Sequence, residues 1–415
     1  MKKIQPGAIG GTVAAPASKS MMQRAVAAAA LAGGKSIISN PSDCDDAKAS
    51  IGCAQALGAR VSKKGGSVEI TGGRPEKGGV LDCHESGLSL RMFTPIAALY
   101  GHEFTITGTG SILKRPVGMV QKPLARLGAK CSTNNGLPPI RVRGPLKGGK
   151  TSVDGSTSSQ FVTGLLMALP KCENDSEINV AGLKSRPYVQ MTMQLLGRFG
   201  IGIGADEELA RFSIEGGQEY SPAKYNVEGD WSGAAFLLVA GAIAGNANVT
   251  GLDMESLQAD RAVLEALELA GAKTVFGNNG LLAQNQGELE AFEFDATECP
   301  DLFPPLAALA ANCKGTTRIK GASRLAGKES DRGLALVQEF GRLGCKIRVS
   351  GDAMEITGSK LAGGIVEAHN DHRIAMACAV AALNASAPVS ITGEECVAKS
   401  YPGFFEDLES LRQDR

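Results

Sequence analysis

The sequence predicts an α/β protein assembled from six similar units, and three recurring signatures predict it. The first is a helix end closed by glycine and followed by a short strand. It reads LGARV at Gly58, LGAKC at Gly128, FGIGI at Gly200, AGAKT at Gly271 and LGCKI at Gly344, roughly every 70 residues. Glycine fits there because a helix C-terminus wants a left-handed residue. The second is an alternating strand closed by Gly or Asn: IISN at Asn40, TITG at Gly108, INVAG at Gly182, NVTG at Gly251, RIKG at Gly321 and SITG at Gly393. The third is a strand, a polar loop and an Ala/Leu-rich helix.

Taken in order, each unit reads strand, helix, strand, helix and then two strands. The strand–loop–helix segments are TVAAPASKSMMQRAVAAAAL, VLDCHESGLSLRMFTPIAAL, TSVDGSTSSQFVTGLLMAL, YNVEGDWSGAAFLLVAGAI, FEFDATECPDLFPPLAALAA and IVEAHNDHRIAMACAVAAL. Their helices are apolar almost all round, which predicts burial rather than a half-exposed position. The final two strands form a glycine-turned pair, as in RVSKKGGSVEITGG at 60–73 and KIRVSGDAMEITGS at 346–359. The fourth unit, Val275 to Gly287, has the weakest final strand.

Composition narrows the function. A chain of 415 residues implies two or three domains, and 43% hydrophobic with 21% charged residues suits a globular protein with a sizeable core. Lys+Arg and Asp+Glu are both 43. That balance argues against a nucleic-acid binder or a membrane-clinging surface, while leaving room for a local basic pocket. The start MKKIQPGAIGG lacks a signal-peptide core, and the run Ala234 to Gly245 is too short to span a bilayer. The ten Cys contain no CxxC pair, so neither a disulfide framework nor a zinc site is expected, and a reducing cytoplasm is.

The frame repeats but the six polar loops do not: they read ASKS, ESG, STSSQ, GDWSG, ECPD and NDHR. A binding scaffold tends to repeat its loop chemistry along with its frame. Six different loops on one frame point instead to a single asymmetric site. Each loop opens a helix, whose free N–H groups and dipole suit anions. Cations stand at several starts: Lys19 and Arg24 near Ser20, Arg115 in KRPVG, Arg186 beside Ser185 and Tyr188, Lys328 and Arg332 around Glu329, Arg373 and Lys399. Cations oppose the usual preference for acids at helix starts, so a ligand is expected to supply the negative charge. Arginine forks suit carboxylate or phosphate, and Ser158, Ser159 and Gln160 add neutral donors. With no P-loop and no GxGxxG between strand and helix, a nucleotide or NAD cofactor is not expected.

The residues alone therefore describe a site for a small polyanion bearing phosphate and carboxylate. Asp301 and Glu329 are the acid–base candidates, with the alternative that each only complements a helix dipole. His369 and His372 lack a third ligand at sensible spacing, so no metal is expected. Asp43, Asp45 and Asp46 read as helix capping, and Trp231 as packing.

Together, ASKSMMQR, KRP, DGSTSSQF, SRPY, PD, KESDR, NDHR and AKSYPGFF resemble the 5-enolpyruvylshikimate-3-phosphate synthase family, in order, from about residue 11 to 406. The resemblance implies a two-domain inside-out α/β barrel of six βαβαββ units, three per domain. Domain one would be 1–17 with 228–415, domain two 18–227, with the active site in the cleft between them. It implies transfer of the enolpyruvyl group of phosphoenolpyruvate to the 5-hydroxyl of shikimate 3-phosphate with release of phosphate, by a cytoplasmic monomer without cofactor or metal. By that analogy Lys19, Gly87, Arg115, Gln160, Arg332, Arg373 and Lys399 hold phosphoenolpyruvate. Lys19, Ser20, Arg24, Ser158, Ser159, Gln160, Ser185, Tyr188, Asp301, Arg324 and Lys328 hold shikimate 3-phosphate. Asp301, Glu329, Lys19 and His372 carry the chemistry.

Two positions depart from the pattern. Glu85-Ser86-Gly87-Leu88 stands where many relatives have Asn-x-Gly-Thr, and Arg324 where some have Asn. The nearest alternative is the sister transferase acting on UDP-N-acetylglucosamine. It typically has Lys-Asn in the first loop and a loop cysteine near Arg115, whereas this chain has Lys19-Ser20 and no Cys between Cys83 and Cys131. A repeat-built binding protein without catalysis is the alternative from another class.

Overall fold

The computed structural model describes residues 1–277 and 279–413. Asn278, in the stretch Val275 to Gly287 considered above, lies outside them. The chain is a mixed α/β protein that divides into two compact bodies. One is continuous, Ala17–Val227; the other joins Met1–Pro16 to Glu228–Arg415.

In the continuous body three four-stranded sheets share one strand order. The strand ahead of a buried helix runs parallel to the strand after it, as Gly79–Asp82 does to Glu103–Thr107. That strand pairs antiparallel with Leu137–Arg143, which carries Lys130–Asn134 at the edge. Gly149–Asp154 leads the second sheet in the same order. In the third, the leading place beside Lys35–Ser39 is taken by Lys224–Asn226 from the far end of the body.

The discontinuous body repeats the scheme. Thr12–Ala14 leads the sheet of Asn246–Thr250, and Glu293–Asp295 leads that of Thr316–Lys320. Gly364–Glu367 leads a three-stranded sheet whose last member is Lys2–Ile4, paired antiparallel with Val389–Thr392. The strand Gly280–Gln284 is as long as Ser67–Thr71, so the fourth stretch is not the weak one. The shortest strand of these sheets is Gly204–Ala205, in the third stretch, where Gly204 supplies no side chain to pack.

The Ala/Leu-rich helices are buried as their composition requires. Met21 through Leu31 are all buried in the helix Lys19–Leu31, and so is every residue of Gly87–Ala97 and His372–Ala382. Polar loop residues start them. Ser18, Ser86, Asp230 and Asp371 each accept a hydrogen bond from a backbone N–H of the first turn. The helices of the second kind are amphipathic: Arg332–Arg342 buries Arg332, Ala335, Leu336, Glu339 and Phe340 on one face. The helix-end glycines Gly58, Gly128, Gly200, Gly271 and Gly344 all have φ between +79° and +100°, the left-handed turn the sequence asked for.

Each body has its own hydrophobic core. Phe93, Phe104, Phe161 and Phe212 centre one, and Trp231, Phe236, Phe303 and Phe340 the other. Truncating any of these to alanine should cost about 3–5 kcal/mol. Among the described residues no helix is long and apolar enough to cross a membrane.

Candidate active site

The residues singled out in the sequence gather into clusters at helix starts, and each body contributes its own. In the continuous body, Lys19 and Ser20 open the first buried helix, and Lys19 Nζ lies 3.2 Å from Asp46 Oδ2. Asp46 sits in the first turn of Asp45–Ala56, as a capping acid would, but it also neutralises this lysine. Arg24 is one turn on and only 1% exposed. Its Nε donates to Thr192 Oγ1 (2.9 Å), its Nη1 to Ser20 O (3.0 Å) and its Nη2 to Tyr188 O (3.2 Å). It thereby joins the backbone carbonyls of Ser20 and Tyr188. Burial pulls the Arg24 pKa down to about 10, and the charges acting on it come from Tyr188 and Tyr225. A buried cation without a carboxylate among the described residues is one an anion would stabilise. Ser185 caps Arg186–Arg198 from a left-handed conformation, φ +55°, which a non-glycine residue adopts at a cost of roughly 1 kcal/mol.

A second cluster in this body brings together Gly87, Arg115 and Gln160. Arg115 follows the turn Gly110–Lys114, is 9% exposed, and has no hydrogen-bond partner for its buried Nε among the described residues. A side-chain carbon at Gly87 would lie 2.8 Å from Arg115 Nη1 and 3.1 Å from Arg91 Nη1, so two guanidinium groups crowd one glycine. Arg91 was not among the sequence candidates, yet it ties the cluster. Its Nη1 donates to Gln160 Oε1 (2.9 Å) and Gly87 O (3.4 Å), and its Nη2 to Pro116 O (3.1 Å). The signal was present: it is the one charge in GLSLRMFTPIA, a helix buried throughout, four residues from Gly87. Glu85, the departure from the family pattern, turns its carboxylate to the turn ahead of Arg115. Its Oε2 accepts from Ser111 N (3.2 Å) and Ser111 Oγ (2.8 Å). Ser158 caps the helix that Ser159 and Gln160 begin.

In the discontinuous body one carboxylate organises the site. Asp301, in the turn Pro300–Leu302, accepts from Arg332 Nη1 (2.8 Å), Lys328 Nζ (3.3 Å) and Arg373 Nη2 (3.0 Å). Arg332 also reaches Glu329 Oε2 (2.7 Å) through Nη2 and Asp371 Oδ2 (2.9 Å) through Nε. Burial works against the Arg332 charge, and Asp371, Glu329 and Asp301 outweigh it, so its pKa rises. Asp371 is wholly buried, caps His372–Ala382 and was missed as a site residue although it lies in the NDHR loop. His372 is buried beside it, with Nδ1 3.9 Å from Asp371 Oδ1. Lys399 Nζ donates to Asn370 O at 2.7 Å. Arg324 ends the turn Ala322–Arg324 and is half-buried. His369 goes elsewhere, 2.7 Å from Glu339. Trp231 is packed, its Nε1 donating to Asp253 O. No group of three or more His, Cys, Asp or Glu stands ready to hold a metal among the described residues.

Behind Asp301 lies Asp260, also missed. It is wholly buried, is bonded to Ser232 through Oδ2, and its Oδ1 has no partner among the described residues. Burial first, and then the Asp301 charge, push its carboxyl up to about 7.

Chemically, then, one body offers arginines in need of an anion, and the other offers carboxylates laced with cations. Comparison with known proteins follows the same line. The family model for EPSP synthase (3-phosphoshikimate 1-carboxyvinyltransferase) matches residues 4–408. A 3-phosphoshikimate 1-carboxyvinyltransferase of Clostridium perfringens is 38% identical over 99% of this chain and 98% of its own. One from Clostridium kluyveri is 39% identical over 98% and 96%. The solved EPSP synthase of Acinetobacter baumannii superposes with a TM-score of 0.82 at 27% identity, covering 99% of this chain and 98% of that one. Matched along nearly its whole length by both the family model and these relatives, the chain belongs to the EPSP synthase (3-phosphoshikimate 1-carboxyvinyltransferase) family.

Proposed function

We propose that the protein transfers the enolpyruvyl group of phosphoenolpyruvate to the 5-hydroxyl of shikimate 3-phosphate and releases inorganic phosphate. The observation that carries this reading is the Gly87 cluster. Arg115 is nearly buried against Gly87, and its Nε has no partner among the described residues. Such an arrangement suits an anion that brings both phosphate and carboxylate.

Phosphoenolpyruvate would be held by Lys19, Gly87, Arg115, Gln160, Arg332, Arg373 and Lys399. Shikimate 3-phosphate would be held by Lys19, Ser20, Arg24, Ser158, Ser159, Gln160, Ser185, Tyr188, Asp301, Arg324 and Lys328. The reaction protonates the methylene of phosphoenolpyruvate, making its C2 electrophilic. The 5-hydroxyl oxygen adds to C2 as its proton departs, giving a tetrahedral ketal phosphate. Loss of a methyl proton and of phosphate then restores the double bond. Asp301 accepts the hydroxyl proton and Glu329 delivers the methylene proton. Lys19, with His372 in support, and the arginines stabilise the developing charge.

The ion pairs of Asp301 fit this division of labour. Lys328, Arg332 and Arg373 all pair with it. Incoming anions compete for the same cations and draw them off, which frees the carboxylate to take a proton. Substrate binding and base activation become one event.

The finer architecture, an inside-out α/β barrel of six βαβαββ units, three per domain, is part of the proposal. Its support is the strand order common to the sheets of both bodies. A cytoplasmic location is supported by the charged, membrane-impermeant substrates; a monomeric state is checked by sedimentation. The deciding experiment is phosphate release from phosphoenolpyruvate with shikimate 3-phosphate or UDP-N-acetylglucosamine as acceptor. Release with the former alone is expected. Release with the UDP sugar alone, or with neither, overturns the reading.

A further inference from the structure

Arg91 is 5% exposed and makes no contact that the proposed chemistry requires of it, yet its guanidinium joins three separate chain segments. These are the Gly87 loop through Gly87 O, the turn after Arg115 through Pro116 O, and the helix Ser159–Ala168 through Gln160 Oε1. Each segment carries one residue assigned to phosphoenolpyruvate. The packing behind Arg91 is equally close. A side-chain carbon at Gly164 would lie 2.9 Å from Arg91 O and 2.8 Å from Met92 O, so the two helices meet backbone to backbone. Pro95, four residues after Arg91, lacks the N–H that would have bonded Arg91 O within the helix. The helix is thus shaped to bring Arg91 and Gln160 together.

The chemistry of the two side chains fixes the rest. A guanidinium donates and never accepts. The Gln160 atom facing it at 2.9 Å must therefore be the carbonyl oxygen, whatever the ambiguity of an amide otherwise. With the oxygen engaged, the NH2 group is what Gln160 offers elsewhere. Free to rotate, this amide would present oxygen and nitrogen alternately, and an oxygen facing an anionic ligand repels it.

We propose that Arg91 is a positioning residue for the phosphoenolpyruvate half of the site: it locks Gln160 with its amide N–H2 toward the ligand and fixes the Gly87 and Arg115 segments in register. It does so without touching substrate. The inference rests on the functional reading above and deepens it.

The test is steady-state kinetics on the full chain, varying each substrate in turn, beside thermal melts. Arg91→Lys keeps a cation and the aliphatic stem but cannot span three acceptors. It should raise KM for phosphoenolpyruvate about tenfold or more, as expected for lost charge-assisted hydrogen bonds, and raise KM for shikimate 3-phosphate by less, because Gly87 and Arg115 serve phosphoenolpyruvate alone while Gln160 is shared. Gln160→Glu keeps an oxygen for Arg91, now as an ion pair, and removes only the N–H2 donor. It should melt no lower than the unmodified chain, yet raise KM for phosphoenolpyruvate by a similar factor. The double variant Arg91→Lys/Gln160→Met should be no worse than the poorer single variant, since the two act as a unit. An unchanged KM for phosphoenolpyruvate in either single variant overturns the inference, as does an equal rise in both KM values with a lowered melting point in Arg91→Lys. If the unmodified chain releases no phosphate at all, the functional reading falls and takes the inference with it.

Discussion

Arg332 Nη1 lies 2.8 Å from Asp301 Oδ1, and the arginine is 1% exposed. The same guanidinium is shared with Glu329 and Asp371, so the proposed base and the proposed acid sit on one buried cation. Asp301→Asn should therefore do two opposite things. Turnover should fall about a hundredfold or more for loss of the proton acceptor. Lys328 and Arg373 lose a counter-charge, so the ligand-free variant should melt lower, while shikimate 3-phosphate protects it from heat at least as well as the unmodified chain. Phosphate release and melting with and without that ligand are the checks; an active variant removes Asp301 from its role.

Asp260 predicts a pH effect on stability. Its carboxyl is raised to about 7 from an ordinary 3.8 by burial and then by Asp301. Below 3.8 folded and unfolded chains both hold the proton, and the group is neutral to stability. Between 3.8 and about 7 the unfolded chain has released it and the folded chain has not, so unfolding liberates a proton and stability falls as pH rises. Asp260→Asn keeps an acceptor for Ser232 and cannot ionise. The variant should gain on the unmodified chain in urea midpoint at pH 8 and match it near pH 4. Equal midpoints at pH 8 would refute the assignment.

Gly87 has no room for a side chain without moving a guanidinium. In Gly87→Ala the new carbon would stand 2.8 Å from Arg115 Nη1. The obstacle is the end of a flexible side chain and the position opens a helix, so the fold should hold. The displaced Arg115 should raise KM for phosphoenolpyruvate about tenfold, with little change for shikimate 3-phosphate.

Glu85 should act at one remove. Its carboxylate holds Ser111 in the turn that delivers Arg115. Glu85→Ala is expected to cost about 1–2 kcal/mol of order in that turn and raise KM for phosphoenolpyruvate about fivefold to thirtyfold. Ser111→Ala added to it should change little more, because the two residues form one contact. Strictly additive effects would place Glu85 elsewhere.

The recurring glycines and the all-apolar helices were legible because each obeys a local rule: a left-handed turn at Gly58 or Gly344, full burial where no polar stripe exists. The partners of the leading strands were not legible from their own residues; only the resemblance set residues 1–17 with 228–415. Nothing in TVA or KYN says which parallel neighbour it will choose, and Thr12–Ala14 and Lys224–Asn226 each pair with a strand of a different stretch. In the site, residues at helix starts stood out by position. Arg91 and Asp260 did not, since their meaning depends on partners far away in sequence, such as Gln160 for Arg91; Asp371 stands at a helix start but was passed over, because its partner Arg332 lies 39 residues away. The acidic patch was read half right. Asp45 and Asp46 do occupy a first turn, but Cys44 is the cap, Asp46 neutralises Lys19 and Asp43 pairs with Lys63.

The strand pairing of Lys2 with Ile391 has a consequence for synthesis. Residues 17 to 227 form a compact body whose strands all lie within that interval, so it can mature while the ribosome is still translating. The opening sixteen residues cannot. Thr12–Ala14 must wait for Asn246–Thr250, and Lys2–Ile4 for Val389–Thr392. Lys2–Ile4 thus stays unpaired for far longer than Thr12–Ala14, and the two strands of one short segment are recruited into their sheets at widely separated stages of synthesis.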